Sequence, residues 1–215
     1  MSEGRSGADG EVHGQVHSEV HGQAHGQAHG TDHCQPIVLY GNAVLRQKAT
    51  PVVVFDRGIE ELVDELFDTM HAIDIGVGLA ANQIGRSESV FVFDCRDGLS
   101  GHVVNPSVDP IGVELQDGWE GCLSLPGVDL RTSRYLRCKV TGQDMHGTPI
   151  SYEGEGVRAR CFQHETDHLR GQLYVDLHPV RVRKKLEREM KSMDWYGNQS
   201  LDPRSEVYRE AQSDE

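Results

Sequence analysis

The sequence predicts an α+β domain in which mostly antiparallel sheets wrap a central helix, with further helices towards its N- and C-terminal ends. Three observations carry this prediction. Apolar strand-like runs are joined by short turns marked with glycine and proline. One stretch, Ile59 to His71, repeats apolar residues at three- and four-residue steps. Between a strand-like run and a basic helical one lies Gln163-His164-Glu165-Thr166-Asp167-His168, an H-E-x-x-H pattern.

Residues 1 to 34 are of low complexity, with variants of Val-His-Gly-Gln and Ala-His-Gly-Gln running through His13, His17, His21, His25, His29 and His33. Glycine at nearly every repeat disfavours a helix, and little there is able to be buried, so a disordered tail is expected. The evenly spaced histidines also make it a potential gatherer of divalent metal. Order is expected from residue 35, at Pro36-Ile37-Val38-Leu39-Tyr40, followed by a turn at Gly41-Asn42 and a short segment ending at Pro51. In the helix that follows, Ile59, Leu62, Val63, Leu66, Phe67 and Met70 form a core face, and Glu60, Glu61, Asp64, Glu65 and Asp68 a solvated one. It leads into a run of small residues, Gly76 to Gly85, whose composition suits close backbone packing.

Strands are predicted at Val90 to Asp94, at His102 to Asn105 and through Val113-Glu114-Leu115, with a tight Glu-Gly-Cys turn at Glu120 to Cys122. Arg137 to Thr141 alternates as a half-buried strand, and Asp144 to Gly147 makes a turn. The motif helix is expected from about Gly156 to Leu169, closing at Gly171. A last helix from Val180 to about Met193 carries Arg181, Arg183, Lys184, Lys185, Arg188 and Lys191. The domain is expected to end at residue 196, with the polar, acidic stretch 197–215 frayed.

Composition narrows the function. A net charge of −13 argues against an extended DNA-binding face. Five cysteines without regular spacing point to a reducing compartment, and no apolar run approaches membrane-spanning length, so a cytoplasmic protein without a membrane anchor is expected. Two histidines four apart on a helix face one metal ion, with the intervening Glu165 within reach of a water on it. A catalytic metal takes three protein ligands and keeps one position open. One protease class supplies the third as H-E-x-x-H-x-x-G-x-x-H. Gly171 fits that pattern, but Tyr174 stands where it needs histidine. Cys122 is therefore the leading third ligand, since Cys95, Cys138 and Cys161 lie on apolar runs where a buried thiol is the ordinary state.

Gly76 to Gln83, Glu120 to Ser124 and His164 to His168 together resemble, in order, the three signature motifs of the peptide deformylase family. The likeness runs from about Pro36 to Tyr196 and includes Val44-Leu45-Arg46 and Asp144 to Gly147. It implies Cys122, His164 and His168 as metal ligands, with one iron(II) ion per chain and Zn2+, Ni2+ or Co2+ as substitutes. It implies hydrolysis of the formyl group from N-formylmethionyl nascent peptides, by attack of metal-activated hydroxide with Glu165 as general base and then acid. Gln83 and the Leu123 backbone N–H would stabilise the oxyanion. Val77, Gly78, Gly121, Arg160 and Cys161 would bind substrate. Two residues depart from the common pattern: Thr166 replaces an apolar residue, and Arg160 replaces an aliphatic one in the methionine pocket. The resemblance also offers ribosomal RNA as a dock for the basic helix 180–193. Two other readings stay open: an H-E-x-x-H protease cutting internal bonds, and a metal-storage protein centred on the tail.

Overall fold

The structure, a computed structural model, describes residues 33–210. The histidine-rich stretch through His29 and the last five residues lie outside the described range. Nine strands and four α-helices follow in the order β1 (Ile37–Val38), α1 (Arg57–His71), β2 (Gly78–Ala80), β3 (Val90–Asp94), β4 (Ser100–Pro110), β5 (Leu115–Cys122), β6 (Leu125–Tyr135), β7 (Arg137–Gln143), β8 (Pro149–Glu155), α2 (Val157–Leu169), α3 (Val180–Met190), β9 (Ser200–Leu201) and α4 (Glu206–Glu210) among the described residues. Every strand pair in the three sheets is antiparallel: a five-stranded sheet ordered β2-β3-β4-β7-β8, the hairpin β5-β6, and the short pair β1-β9.

Strand β3 shows how the sequence builds two layers. Successive side chains of a strand point to opposite faces. Val90 and Val92 accordingly pack with Ile59, Leu62, Val63 and Leu66 of α1, while Phe91 and Phe93 pack with Ala159, Cys161 and Phe162 of α2. Phe93 meets Phe162 edge to face at a centroid distance of 4.9 Å. With both faces covered, β3 reads as a continuous apolar run. Helix α1 starts where the Asp56 side chain accepts from the Gly58 N–H at 2.9 Å, and its apolar stripe is buried as the periodicity predicts. Helix α2 is apolar on no single stripe. Its residues from Phe162 to Leu169, Gln163 apart, are buried because sheet and hairpin surround it.

Several boundaries differ from the sequence reading. Val113 and Glu114 are in an exposed turn around Gly112, with Val113 85% exposed, and the strand starts only at Leu115. Strands β6 and β8 escape an apolar-pattern reading because their periodic positions hold Thr132, Arg134 and Gly154. Glu120 to Cys122 is no tight turn. It is the end of β5, where a β-bulge shifts the register between Glu120 and Cys122. Nor does the polar stretch fray from Asn198: Ile37 pairs with Leu201 and Val38 with Ser200, and Tyr208 is 1% exposed. Its ordering comes from a few apolar residues, Leu201, Val207 and Tyr208, that a composition reading averages away.

Candidate metal centre and active site

Helix α2 is entered through its N-cap, Gly156, whose φ of +59° lets the chain reverse from β8, and it runs beneath the β5-β6 hairpin. The i, i+4 spacing puts His164 and His168 one above the other, with their Nε2 atoms 3.1 Å apart. Cys122, delivered by the bulge, brings its Sγ to 3.2 Å from His168 Nε2. The three donor atoms lie within 4.8 Å of one another. Among the described residues this is the only such cluster of three or more histidines, cysteines or acids.

The surroundings fix these groups from behind. His164 Nδ1–H donates to Glu120 Oε1 at 2.7 Å, which leaves Nε2 with its lone pair towards the convergence point. Glu120 itself is held by Arg134, through Nε at 3.0 Å and Nη2 at 2.6 Å, and by Arg160 Nη1 at 2.8 Å. Arg134 also donates to Asp167 at 2.6 Å. Burial alone would raise the Glu120 pKa, but the bonds from His164 and Arg134 outweigh it and hold the carboxyl well below its usual range. Burial likewise works to lower the His164 pKa, yet the Cys122 sulfur and Glu120 together lift it well above normal. Those neighbours favour positive charge at the convergence point, where a divalent cation fits. Burial keeps the His168 pKa well below normal, so that ring is neutral and ready to ligate. A thiol and two imidazoles on one point suit a zinc- or iron-type ion.

Glu165 follows His164 on the helix and is buried, with Oε2 lacking a protein partner. Burial pushes its pKa up to about 7, so it can take or give a proton near neutrality. It opens on a cavity of about 690 Å3 that Val77, Gly78, Gln83, Cys122, Leu123, Arg160 and Cys161 also line.

A family model described as polypeptide deformylase matches residues 34–184. The chain belongs to the polypeptide deformylase family. It is 47% identical over 161 residues to peptide deformylase 1 of Corynebacterium efficiens, covering 74% of this chain and 95% of that one. Among solved structures it is similar to the peptide deformylase of Thermus thermophilus, with TM-score 0.68 and 38% identity over 82% of this chain and 99% of that one. The peptide deformylase of Legionella pneumophila gives TM-score 0.68 and 35% identity over 74% and 94%. Polypeptide deformylases are metal-dependent hydrolases that remove the N-formyl group from nascent peptides, and this chain is an enzyme of that type.

Against that deformylase frame, the residues singled out in the sequence fall together. Val77 and Gly78 stand at the β2 edge of the large sheet, and a Cβ at Gly78 would lie 2.5 Å from Glu165 Oε1. Cys161 Sγ donates to the Val77 carbonyl at 3.3 Å. Gln83 accepts from the Ala80 N–H at 2.9 Å, which turns its amide nitrogen towards Cys122 Sγ and Ser124 Oγ. Gly121 backs onto Asp129, and Arg160 also donates to the Thr132 carbonyl at 2.9 Å. Tyr174 hydrogen-bonds the Val128 carbonyl at 2.5 Å, so it occupies no ligand position. Gln163 points outward to the Tyr135 backbone and ties α2 to β6. Sequence reasoning missed Arg134, which sits on the unrecognised β6, and gave no role to Glu120. Alternation along β6 places Arg134 on the inward face beside Thr132, a signal an arginine conceals. No helix among the described residues is long and apolar enough to cross a membrane.

Proposed function

We propose that the chain hydrolyses the formyl group from the N-terminal formylmethionine of nascent polypeptides and releases formate, with Cys122, His164 and His168 holding one iron(II) ion. The observation that carries this reading is the convergence of those three donors within 4.8 Å beside the buried Glu165 carboxyl, on one cavity. The family resemblance implies iron; the donor set would accept zinc equally. When bound, the ion supplies Lewis acidity to the formyl carbonyl and lowers the pKa of a water.

The chain's own residues do the rest. An extended peptide adds to the free edge of β2 at Val77 and Gly78, where the absence of a Cβ leaves room beside Glu165, and to the hairpin at Gly121. The methionine side chain enters between Cys161 and Arg160, whose guanidinium is balanced by Glu120. Glu165 accepts a proton from water as the water oxygen bonds to the formyl carbon. The growing negative charge on the formyl oxygen is met by the Gln83 amide and the Leu123 N–H, each such donor contributing about 3 kcal/mol. Glu165 then passes its proton to the amide nitrogen, the C–N bond breaks, and formate and a free amine leave. The exposed basic face of α3 is proposed to meet ribosomal RNA phosphates, and the reaction to take place in the cytoplasm.

The test is formate release from a short formylmethionyl peptide by anaerobic, iron-loaded protein, beside Glu165→Gln. Release that falls roughly 10²- to 10⁴-fold in the variant supports the reading. No release from a wild type carrying one tightly bound ion refutes it.

A further inference from the structure

The turn that joins β5 to β6 consists of Leu123 and Ser124, and it is gripped from outside the site. Tyr208 of α4 donates its hydroxyl to the Leu123 carbonyl at 2.8 Å. Next to it, the Tyr40 N–H donates to the Ser124 carbonyl at 2.9 Å, and Gln83 reaches Ser124 Oγ from within. Tyr208 is buried, packs in the same core as Leu123, and lines the cavity that holds Glu165. Its segment is firmly set: β9 pairs with β1, Asp202 caps Arg204 and Ser205, and Val207 packs into the neighbouring core beside Leu125 and Trp195. The bond falls on the residue whose N–H is proposed to receive the oxyanion. An oxygen bonded at 2.8 Å to a buried phenol resists rotation, since turning it away strands both groups without a partner. The Leu123 carbonyl and N–H lie in the two peptide planes that meet at its Cα, and in a two-residue turn closed by the Cys122–Leu125 pair, pinning one plane limits how far the other can swing.

We propose that Tyr208 is a positioning residue for the deformylation step: through the Leu123 carbonyl it aims the Leu123 N–H into the cavity, so that segment 200–210 completes the active site. This rests on the deformylase reading above. Losing an oxyanion donor outright costs roughly 10²- to 10³-fold, and misaligning one costs less.

The experiment compares wild type, Tyr208→Phe and Leu186→Ala as iron-loaded full chains, measuring kcat and KM for formate release, bound metal and Tm. Tyr208→Phe keeps the ring and removes only the donor. It is expected to retain one ion per chain and a KM within about two-fold, while kcat falls roughly ten-fold, an intermediate value on the same scale. Leu186→Ala removes packing from α3, outside residues 200–210, and is expected to lower Tm with kcat unchanged. Wild-type activity that persists undiminished in Tyr208→Phe overturns the proposal, as does a loss that Leu186→Ala or bound metal reproduces. A wild type that releases no formate sinks the deformylase reading, and the role of Tyr208 falls with it. Should Tyr208→Phe fail to fold, backbone hydrogen exchange of the intact wild type decides instead. Saturating methionyl peptide and formate should slow exchange in 206–210 at least three-fold, and unchanged exchange there overturns the proposal.

Discussion

Replacing Arg134 with methionine keeps much of the side-chain volume and removes the charge that two buried carboxylates share. The guanidinium, 6% exposed, makes three bonds of 2.6 to 3.0 Å to Glu120 and Asp167. Glu120 would retain Arg160 and His164, so its loss is partial. Asp167, 12% exposed, would keep only Arg170 at 3.8 Å, and that guanidinium is half in solvent. Removing one partner of a buried ion pair costs about 3 to 5 kcal/mol, chiefly as the penalty of the charge left behind. At roughly 2 to 4 °C per kcal/mol for a chain of this size, Tm of the metal-stripped protein should fall by about 6 to 20 °C. Stripping the metal matters, since a bound ion adds its own stabilisation and would blur the comparison. In the same variant, looser support of Glu120 behind His164 should weaken metal affinity about 10- to 100-fold, read by competition with a chelator. A Tm within about 2 °C of wild type would refute the reasoning, because it would mean that Asp167 and Glu120 find equal partners without Arg134.

Other perturbations separate the roles further. Cys122→Ala should abolish stoichiometric metal while leaving the fold, checked by elemental analysis beside circular dichroism; full retention of one ion would remove Cys122 from the ligand set. In Gly78→Ala the new methyl would meet Glu165 Oε1 at 2.5 Å and Cys161 Sγ at 2.7 Å, so activity should drop at least roughly 10²-fold, as positioning losses do, with metal still bound. Steady-state formate release would show it. Gly171→Ala forces a side chain onto φ of +74° and within 2.6 Å of the Arg46 carbonyl oxygen, and urea denaturation should register a loss of about 3 kcal/mol.

What was legible in the sequence follows from what a pattern can encode. Helix α1 was readable because one face is buried and one is wet, and β3 because both its faces are buried. The cluster of Cys122, His164 and His168 was readable as a candidate metal site because chemistry restricts metal ligands to few residue types, and because the three runs resembled one family in order. The supporting cluster was not. Arg134 and Glu120 are charged residues on hairpin strands, where solvent exposure is the ordinary outcome, and only pairing across 14 positions makes them interior. The C-terminal strand and α4 escaped for a similar reason. Two paired residues and one tyrosine carry no periodicity, and their order depends on contacts with β1, with Leu123 and with the cores that Leu201, Val207 and Tyr208 enter.

The pairing of β1 with β9 has a consequence for how this chain assembles. Strand β1 is the first strand of the described residues, yet its hydrogen-bonding partner lies at their opposite end. Until Ser200 and Leu201 arrive, Ile37 and Val38 must wait with one edge open, and no local contact can substitute. Closing a loop of that length is slow relative to forming α1 or the β5-β6 hairpin, so β1-β9 is expected to zip last. The clamp on the Leu123 turn forms with it. This part of the enzyme would thus close only once the chain has been made through Leu201.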